Sequence, residues 1–271
     1  MSKDVPDTGL MKRIWTDRYK IHSYEVDINQ RATLPVLCGY FQETARHHAH
    51  NLKNGYEHLL KENKMWVLSR LYIKMNVYPK WGDEITIRTW SIGVKKLFAL
   101  RDFEIFNRNE NLLGSVTTAW LIIDRESRRL QRPDPFYTDI PLLPDRHALI
   151  DDLEKIPLSE SDEVPHSYTV RYTAQYSDLD LHSHVNNAKY IEWVLNGYPL
   201  QRHREQWIRY FKIQYISETL YGDDVSLRFH TIDDTDREFS ISAVKSSDKS
   251  EVFRAKLQWE VDSIAISGIR V

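Results

Sequence analysis

The sequence predicts an α+β protein built from two similar halves, in each of which an antiparallel sheet wraps one long helix. Three observations predict this fold: a turn motif that occurs twice, strand-like alternation after each copy, and one apolar helix near the start of each half. The motif reads WGDEITIR at residues 81–88 and YGDDVSLR at residues 221–228. A repeat at equivalent places in both halves indicates duplication of one structural unit.

Strands are predicted wherever β-branched and aromatic residues alternate with polar ones. One such run precedes each turn motif, at residues 71–77 and 211–215. The motif itself, an aromatic residue followed by Gly, Asp and a second acidic residue, is typical of a tight turn entering a strand. Further strands are predicted at 84–92, 97–107 and 112–124 in the first half and at 225–232, 238–245 and 252–261 in the second.

One convincing helix is predicted in each half. The first covers residues 34–52 and places Leu37 and Phe41 on one side; the second covers residues 187–196, with Ile191 on its apolar side. Because each helix is apolar over a wide arc, it has to be wrapped by a sheet. A strand, a buried helix and four antiparallel strands, repeated twice, are the layout of a tandem (double) hot-dog fold.

A proline-rich segment at residues 125–166 separates the halves. It contains six of the ten prolines of the chain, and proline at that density interrupts both helices and sheets. We therefore predict an N-terminal half at 1–124, a linker at 125–166 and a C-terminal half at 167–271. We expect the linker to be ordered, poor in regular structure and packed across the outside.

Composition excludes several classes of protein. The 271 residues carry a formal net charge of −2 and include nine glycines and one cysteine. Nothing here suggests a nucleic-acid partner, a glycine-rich phosphate loop or a disulfide or cysteine-rich zinc framework. No targeting segment and no apolar run long enough to span a membrane is found. We expect a cytoplasmic protein without a membrane partner, in which Cys38 is a small buried residue.

The densest cluster of polar residues lies just before the second helix. In an extended segment, Asp180, His182 and His184 would point the same way. Histidine titrates near neutral pH, and a carboxylate can orient it. Asn186 and Asn187 suit a helix N-cap, and the N–H groups of a helix start can hold a developing oxyanion. A capping turn with exposed histidines is the alternative that spacing alone leaves open.

Other clusters carry less chemistry. Three histidines on the first helix, His47, His48 and His50, point in different directions, so we do not predict a metal site there. We likewise do not predict a metal site at His182 and His184. Two arginine groups are either solvated surface or a docking surface for an acidic protein. They are Arg125, Arg128, Arg129 and Arg132, and Arg202, Arg204 and Arg209.

Residues 178–193, DLDLHSHVNNAKYIEW, resemble the signature of acyl-acyl-carrier-protein thioesterases. The similarity extends over most of the chain and includes the Trp-Gly-Asp turn at 81–83 and the strand around Trp120. Members of this family are double hot-dog proteins that release free fatty acids from the carrier protein. The resemblance implies that the first half shapes the acyl pocket and that the second half carries the catalytic groups. The lack of a plastid-targeting segment favours a bacterial-type member.

Carried over residue by residue, the resemblance implies that Asp180, His184 and Glu218 are catalytic. His182 stands where the family usually has Asn, and it can donate one N–H. Plant members have Glu-Cys where this chain has Glu218-Thr219, so no cysteine nucleophile stands at that position. Either Asp180 or Glu218 would activate a water molecule or attack the thioester carbonyl directly. His184 would position the water or the thioester and help to protonate the leaving thiolate.

The implied substrate is an acyl chain on acyl carrier protein, hydrolysed without a metal or organic cofactor. The thioester carbonyl would face backbone N–H groups at 186–188. The acyl chain would enter a tunnel between the first helix and its sheet, lined by Leu37, Phe41, Ile73 and Met75. The alternatives are an acyl-CoA thioesterase, a hydroxyacyl dehydratase and a non-catalytic acyl-binding module, the last suggested by His182 and Thr219. The sequence leaves a homodimer open.

Overall fold

A single antiparallel sheet runs through the computed structural model, which describes residues 11–149, 153–157, 167–232 and 234–262. The first half contains β1 (Trp15–Lys20), α1 (Leu34–Asn51), α2 (Tyr56–Leu60), β2 (Lys64–Met75), β3 (Glu84–Lys95), β4 (Phe98–Asn107), β5 (Leu112–Asp124) and the two-residue β6 (Leu130–Gln131). The second half contains β7 (Tyr168–Thr173), α3 (Asn187–Asn196), α4 (Leu200–Glu205), β8 (Gln206–Tyr215), β9 (Asp224–Thr231), β10 (Glu238–Lys245) and β11 (Glu251–Val261).

The strand order is the same in the two halves. It runs β1-β3-β4-β5-β2 from one edge and β7-β9-β10-β11-β8 from the other, with β6 paired to β5. The halves meet where residues 70–74 of β2 pair antiparallel with residues 210–214 of β8. The two sheets expected from the sequence are therefore joined edge to edge into one continuous sheet.

The two long helices lie against this sheet and against each other. Leu37 and Phe41 of α1 and Ile191 and Val194 of α3 are buried in one hydrophobic core that draws on both halves. Removing such side chains from water is the main stabilising contribution to a fold of this kind. Among the described residues, no helix combines the length and the hydropathy needed to cross a membrane.

The two turn motifs are structurally equivalent. Gly82 has a φ of +85° and Gly222 a φ of +82°, a left-handed conformation that glycine adopts without strain. In each turn the following aspartate, Asp83 or Asp223, accepts a hydrogen bond from the backbone N–H three residues before it, at 2.8 and 2.9 Å. Identical turns at identical places in the strand order support the duplication that the sequence indicates.

The described part of the linker crosses the outside of the sheet from one half to the other. Leu143 N–H donates to the carbonyl of Ser91 in β3 at 3.0 Å. Farther along, Arg254 of β11 donates to the carbonyl of Ile156 at 2.8 Å. The first residues of the predicted linker still belong to the sheet of the first half, because residues 130–131 form β6, which pairs with β5. Beyond β6, the described linker residues contain one 3-10 turn, at Asp134–Phe136. Residues 150–152 and 158–166 of the predicted linker lie outside the described residues, and its boundaries stay a prediction.

We expect a glycine-to-alanine substitution to lower the free energy of unfolding in the turn and to raise it in the helix. A Cβ added at Gly222 or at Gly39 of α1 meets no atom within 4 Å, so backbone conformation alone decides the effect. Gly222→Ala should lower the free energy of unfolding by about 1 kcal/mol, because its φ is positive. Gly39→Ala should raise it by about 0.5–1 kcal/mol in a helix interior. Chemical denaturation measures both, and changes of equal sign would contradict the explanation.

Candidate active site

A cavity of about 780 Å³ lies between the two halves. The first half contributes apolar and aromatic side chains from β2 and β5, among them Trp66, Leu68 and Trp120. The second half contributes Tyr190 of α3 and Tyr215 of β8. The lining also includes charged side chains, among them Arg46 and Arg101. A cavity in which apolar surface predominates and polar groups are also present suits a hydrocarbon chain that carries a polar end.

The residues that line this cavity differ from those expected for the acyl tunnel, although Ala45 and Ala49 of α1 line it together with residues of β2 and β5. Leu37, Phe41, Ile73 and Met75 do not line it; they are between 0% and 2% exposed, in the packed core between α1 and the sheet. The cavity lies farther along α1, beside residues 65–69 of β2. Because β2 pairs with β8 only from residue 70 onward, this part of β2 has no strand on its second edge among the described residues, and space remains there.

His184 and Glu218 meet at the edge of this cavity. His184 Nε2 lies 3.2 Å from Glu218 Oε2, and Arg128 forms an ion pair with the other carboxylate oxygen, Oε1. Glu218 stands three residues beyond the end of β8, in the segment that leads to the second turn motif. Arg128 belongs to the first half, in the turn between β5 and β6. A cluster of charged and titratable side chains therefore assembles from both halves.

Asp180 organises the loop that carries the two histidines. Its Oδ1 accepts hydrogen bonds from the backbone N–H groups of His182, at 2.8 Å, and His184, at 3.3 Å. Ser183, between them, adopts a left-handed conformation with a φ of +62°. The segment thus bends back tightly and is not extended as the sequence analysis assumes, yet Asp180, His182 and His184 all line the cavity.

The first half contains the same loop without the histidines. Asp27 Oδ1 accepts hydrogen bonds from Asn29 N–H at 2.8 Å and Arg31 N–H at 2.9 Å, and the residue between them has a φ of +62°. His184 therefore occupies the position of Arg31. The Arg31 side chain turns away to bind the carbonyls of His203 and Gln206 at 3.0 and 3.2 Å. One copy of the loop joins the halves, and the other faces the cavity.

Burial lowers the pKa of His184, and the nearby positive charge of Arg128 lowers it further, while the charge of Asp180 acts in the opposite direction. The lowered pKa favours the neutral imidazole. A neutral ring carries one N–H donor and one acceptor nitrogen. If the N–H on Nε2 faces Glu218, Nδ1 is free to accept a proton.

The start of α3 offers fewer free N–H groups than the sequence suggests. Asn186 N–H donates to the carbonyl of Asp178 at 2.8 Å, and the Asn186 side chain, as N-cap, accepts from Ala188 N–H at 2.9 Å. Of the three N–H groups at 186–188, that of Asn187 has no hydrogen-bond partner among the described residues. Asn187 lines the cavity; Asn186 does not.

Neither Thr219 nor Cys38 provides a nucleophile for the cavity. Thr219, at the position of the plant cysteine, is fully buried and does not line the cavity. Cys38 is buried in α1, and burial raises the pKa of its thiol well above the usual value. Within the described ranges, no group of three His, Cys, Asp or Glu side chains is placed to hold a metal ion.

Members of the two arginine groups make contacts that the sequence does not predict. Arg202 forms an ion pair with Asp236, and Arg209 donates to the carbonyl of Met75 at 2.6 Å, so these members of the second group serve the fold. Arg128, which sequence reasoning placed in a surface patch, belongs to the site. The contact with Glu218 joins residues 90 positions apart, which no local pattern signals.

Two family models match the chain: the acyl-ACP thioesterase N-terminal domain at residues 12–140 and the acyl-ACP thioesterase C-terminal domain at residues 161–261. A chloroplastic palmitoyl-acyl carrier protein thioesterase of Gossypium hirsutum is 26% identical, over 91% of this chain and 63% of that protein. An acyl-[acyl-carrier-protein] hydrolase of Cuphea viscosissima is 30% identical, over 74% of this chain and 50% of that protein. The chain thus spans between half and two thirds of the length of these relatives.

Solved structures give the same result. An acyl-ACP thioesterase from Bacteroides thetaiotaomicron superposes with a TM-score of 0.78 at 27% identity, covering 92% of this chain and 98% of that one. A 12:0-ACP thioesterase from Umbellularia californica shares the fold, with a TM-score of 0.79 at 23% identity over 93% and 99% of the two chains. The predicted tandem hot-dog fold is confirmed. With both domain models matched in order along one chain, this protein belongs to the acyl-ACP thioesterase family.

Proposed function

We propose that this protein hydrolyses the thioester of an acyl chain held on acyl carrier protein and releases the free fatty acid. The observation that carries the proposal is the placement of His184 and Glu218, 3.2 Å apart, at the edge of a largely apolar cavity of about 780 Å³. Family membership supports the same reaction, and relatives in this family are named for it.

Two adjoining cavities suit the two parts of such a substrate. The large cavity would take the acyl chain. A smaller, more polar pocket of about 270 Å³, whose lining includes Asn63 and Arg125, would take the pantetheine arm of the carrier. Arg128, His182 and His184 border both cavities. The thioester, which joins the acyl chain to the arm, would then lie beside the histidines.

In the proposed reaction, water adds to the thioester carbonyl and gives a proton to the pair formed by Glu218 and His184. Asn187 N–H is placed to stabilise the oxyanion that forms. The carbon–sulfur bond then breaks, and the pair returns the proton to the departing sulfur. Because a thiol has a pKa of about 8.5, its thiolate leaves readily near neutral pH, so modest base activation suffices. The products are the fatty acid and the carrier thiol.

Of the two candidate carboxylates, we propose Glu218 as the one that takes part in proton transfer. It is in contact with the His184 ring, whereas Asp180 Oδ1 holds two backbone N–H groups. Asp27 makes the same two backbone contacts in the first half, where it lines neither cavity. We therefore assign Asp180 the role of holding the histidine loop in place.

Substitutions should separate these roles. Glu218→Gln should lower kcat roughly 10²-fold or more with little change in KM, because a proton-transfer partner is lost. Asp180→Asn keeps the oxygen that accepts both backbone N–H groups and should lower kcat less. His182→Asn restores the residue usual in the family and should keep or raise the rate. Thiol release measures all three. A larger loss of kcat in Asp180→Asn than in Glu218→Gln would indicate that Asp180 is the base. Near-normal turnover in both carboxylate variants would refute the proposed site.

The carrier protein would dock on exposed arginines beside the smaller pocket. Arg125, Arg129 and Arg132 are exposed there, and their charge complements an acidic partner and would steer its approach. A homodimer and a cytoplasmic location stay predictions from the sequence.

A panel of thioesters tests the proposed function directly. Matched acyl chains are presented on acyl carrier protein, on CoA and on pantetheine, and free thiol is measured. We expect the highest kcat/KM with the carrier protein, a rate that falls as salt is raised, and no loss of rate after EDTA or iodoacetamide. Preference for CoA would favour the acyl-CoA reading. No turnover of any thioester, with acyl chains still bound, would favour a binding module.

A further inference from the structure

We propose that Arg128 is a positioning residue for the reaction, supplied by the first half to fix the Glu218 carboxylate against His184. This inference rests on the function and site proposed above. Arg128 takes one carboxylate oxygen of Glu218 while His184 takes the other. With both oxygens engaged, the carboxylate has one orientation, which a single contact to His184 would not impose.

The turn that carries Arg128 is held firmly by its own residues. Asp124 Oδ1 accepts hydrogen bonds from Ser127 N–H at 2.8 Å and Glu126 N–H at 3.2 Å, and Arg128 N–H donates to the Asp124 carbonyl at 3.0 Å. The Arg128 guanidinium also lies 3.7 Å from the sulfur of Met65 in β2. The side chain therefore extends from a defined turn along the cavity edge toward the second half.

Stability does not account for this pair. Both side chains are 40% exposed, and ion pairs at that exposure add little to the free energy of unfolding. The backbone of Arg128, with a φ of +58°, is in a conformation that disfavours any side chain. We therefore assign the guanidinium a role in the reaction, through its contact with the Glu218 carboxylate.

Arg128 is also one of several charges that set the protonation of His184. Asp180, His182 and Lys245 act on it as well, and Glu218 contacts the ring. Among the groups that lower the pKa of His184, Arg128 is the largest charge contribution after burial. Removing its charge should therefore raise that pKa, and the acid side of the pH–rate profile should move to higher pH.

Three Arg128 variants and one control test the proposal. Arg128→Gln should lower kcat roughly 10- to 100-fold, as expected for misplaced reacting groups, with KM for the carrier substrate nearly unchanged. The acid limb should move up by about 0.5–1 pH unit. Arg128→Lys, which keeps the charge but loses the fork geometry, should recover part of the rate and most of the pH profile. Arg128→Gly suits the backbone and should fold normally with the loss of rate seen in Arg128→Gln.

The control is Arg108→Gln, because Arg108 also forms an exposed ion pair with a glutamate, Glu84, but lines neither cavity. It should keep the wild-type rate and pH profile. NMR titration of His184 follows its pKa without turnover. Wild-type kcat and an unmoved pKa in Arg128→Gln would overturn the proposal, and so would an effect confined to KM. If Arg128→Gln is unaffected but Glu218→Gln is inactive, the role proposed for Arg128 is refuted and the proposed function still stands.

Discussion

The antiparallel pairing of β2 with β8 determines where every other part of the site lies. Five residues of each strand form this junction, and they join two half-sheets of equal strand order into one. Because the pairing starts only at residue 70, the preceding part of β2 has one edge without a strand in the described part of the chain, and the cavity opens beside it. The same junction places the β5–β6 turn of the first half close enough for Arg128 to reach Glu218 of the second.

Duplication supplied one loop twice, and the two copies now serve different purposes. In both, an aspartate holds two backbone N–H groups and the intervening residue is left-handed. The first copy carries Arg31, which binds backbone carbonyls of the second half and stabilises the junction. The second carries His184, whose ring faces the cavity. A difference of side chains on an unchanged backbone separates a structural loop from a candidate catalytic one.

Much of the fold could be predicted because its signals are local. Helix α3 begins and ends at the predicted residues, and α1 ends one residue early. The histidine loop was found because its residues are adjacent in sequence. The lining of the proposed acyl cavity and the proposed role of Arg128 depend on which halves meet and in what register, and neither follows from periodicity. Apolar residues such as Leu37 and Ile73 look alike in sequence whether they line a cavity or fill a core.

We propose one site assembled between the halves, with the acyl chain beside the part of β2 that does not pair with β8. A crystal structure with a 2-oxoalkyl-pantetheine thioether, in which a methylene between the carbonyl and the sulfur prevents hydrolysis, tests this arrangement. We expect the acyl chain against Trp66 and Leu68, the carbonyl oxygen within roughly 3 Å of Asn187 N–H, and the sulfur beside His184. An acyl chain in the packed core against Leu37 and Phe41, or a carbonyl remote from Glu218 and His184, would contradict this arrangement.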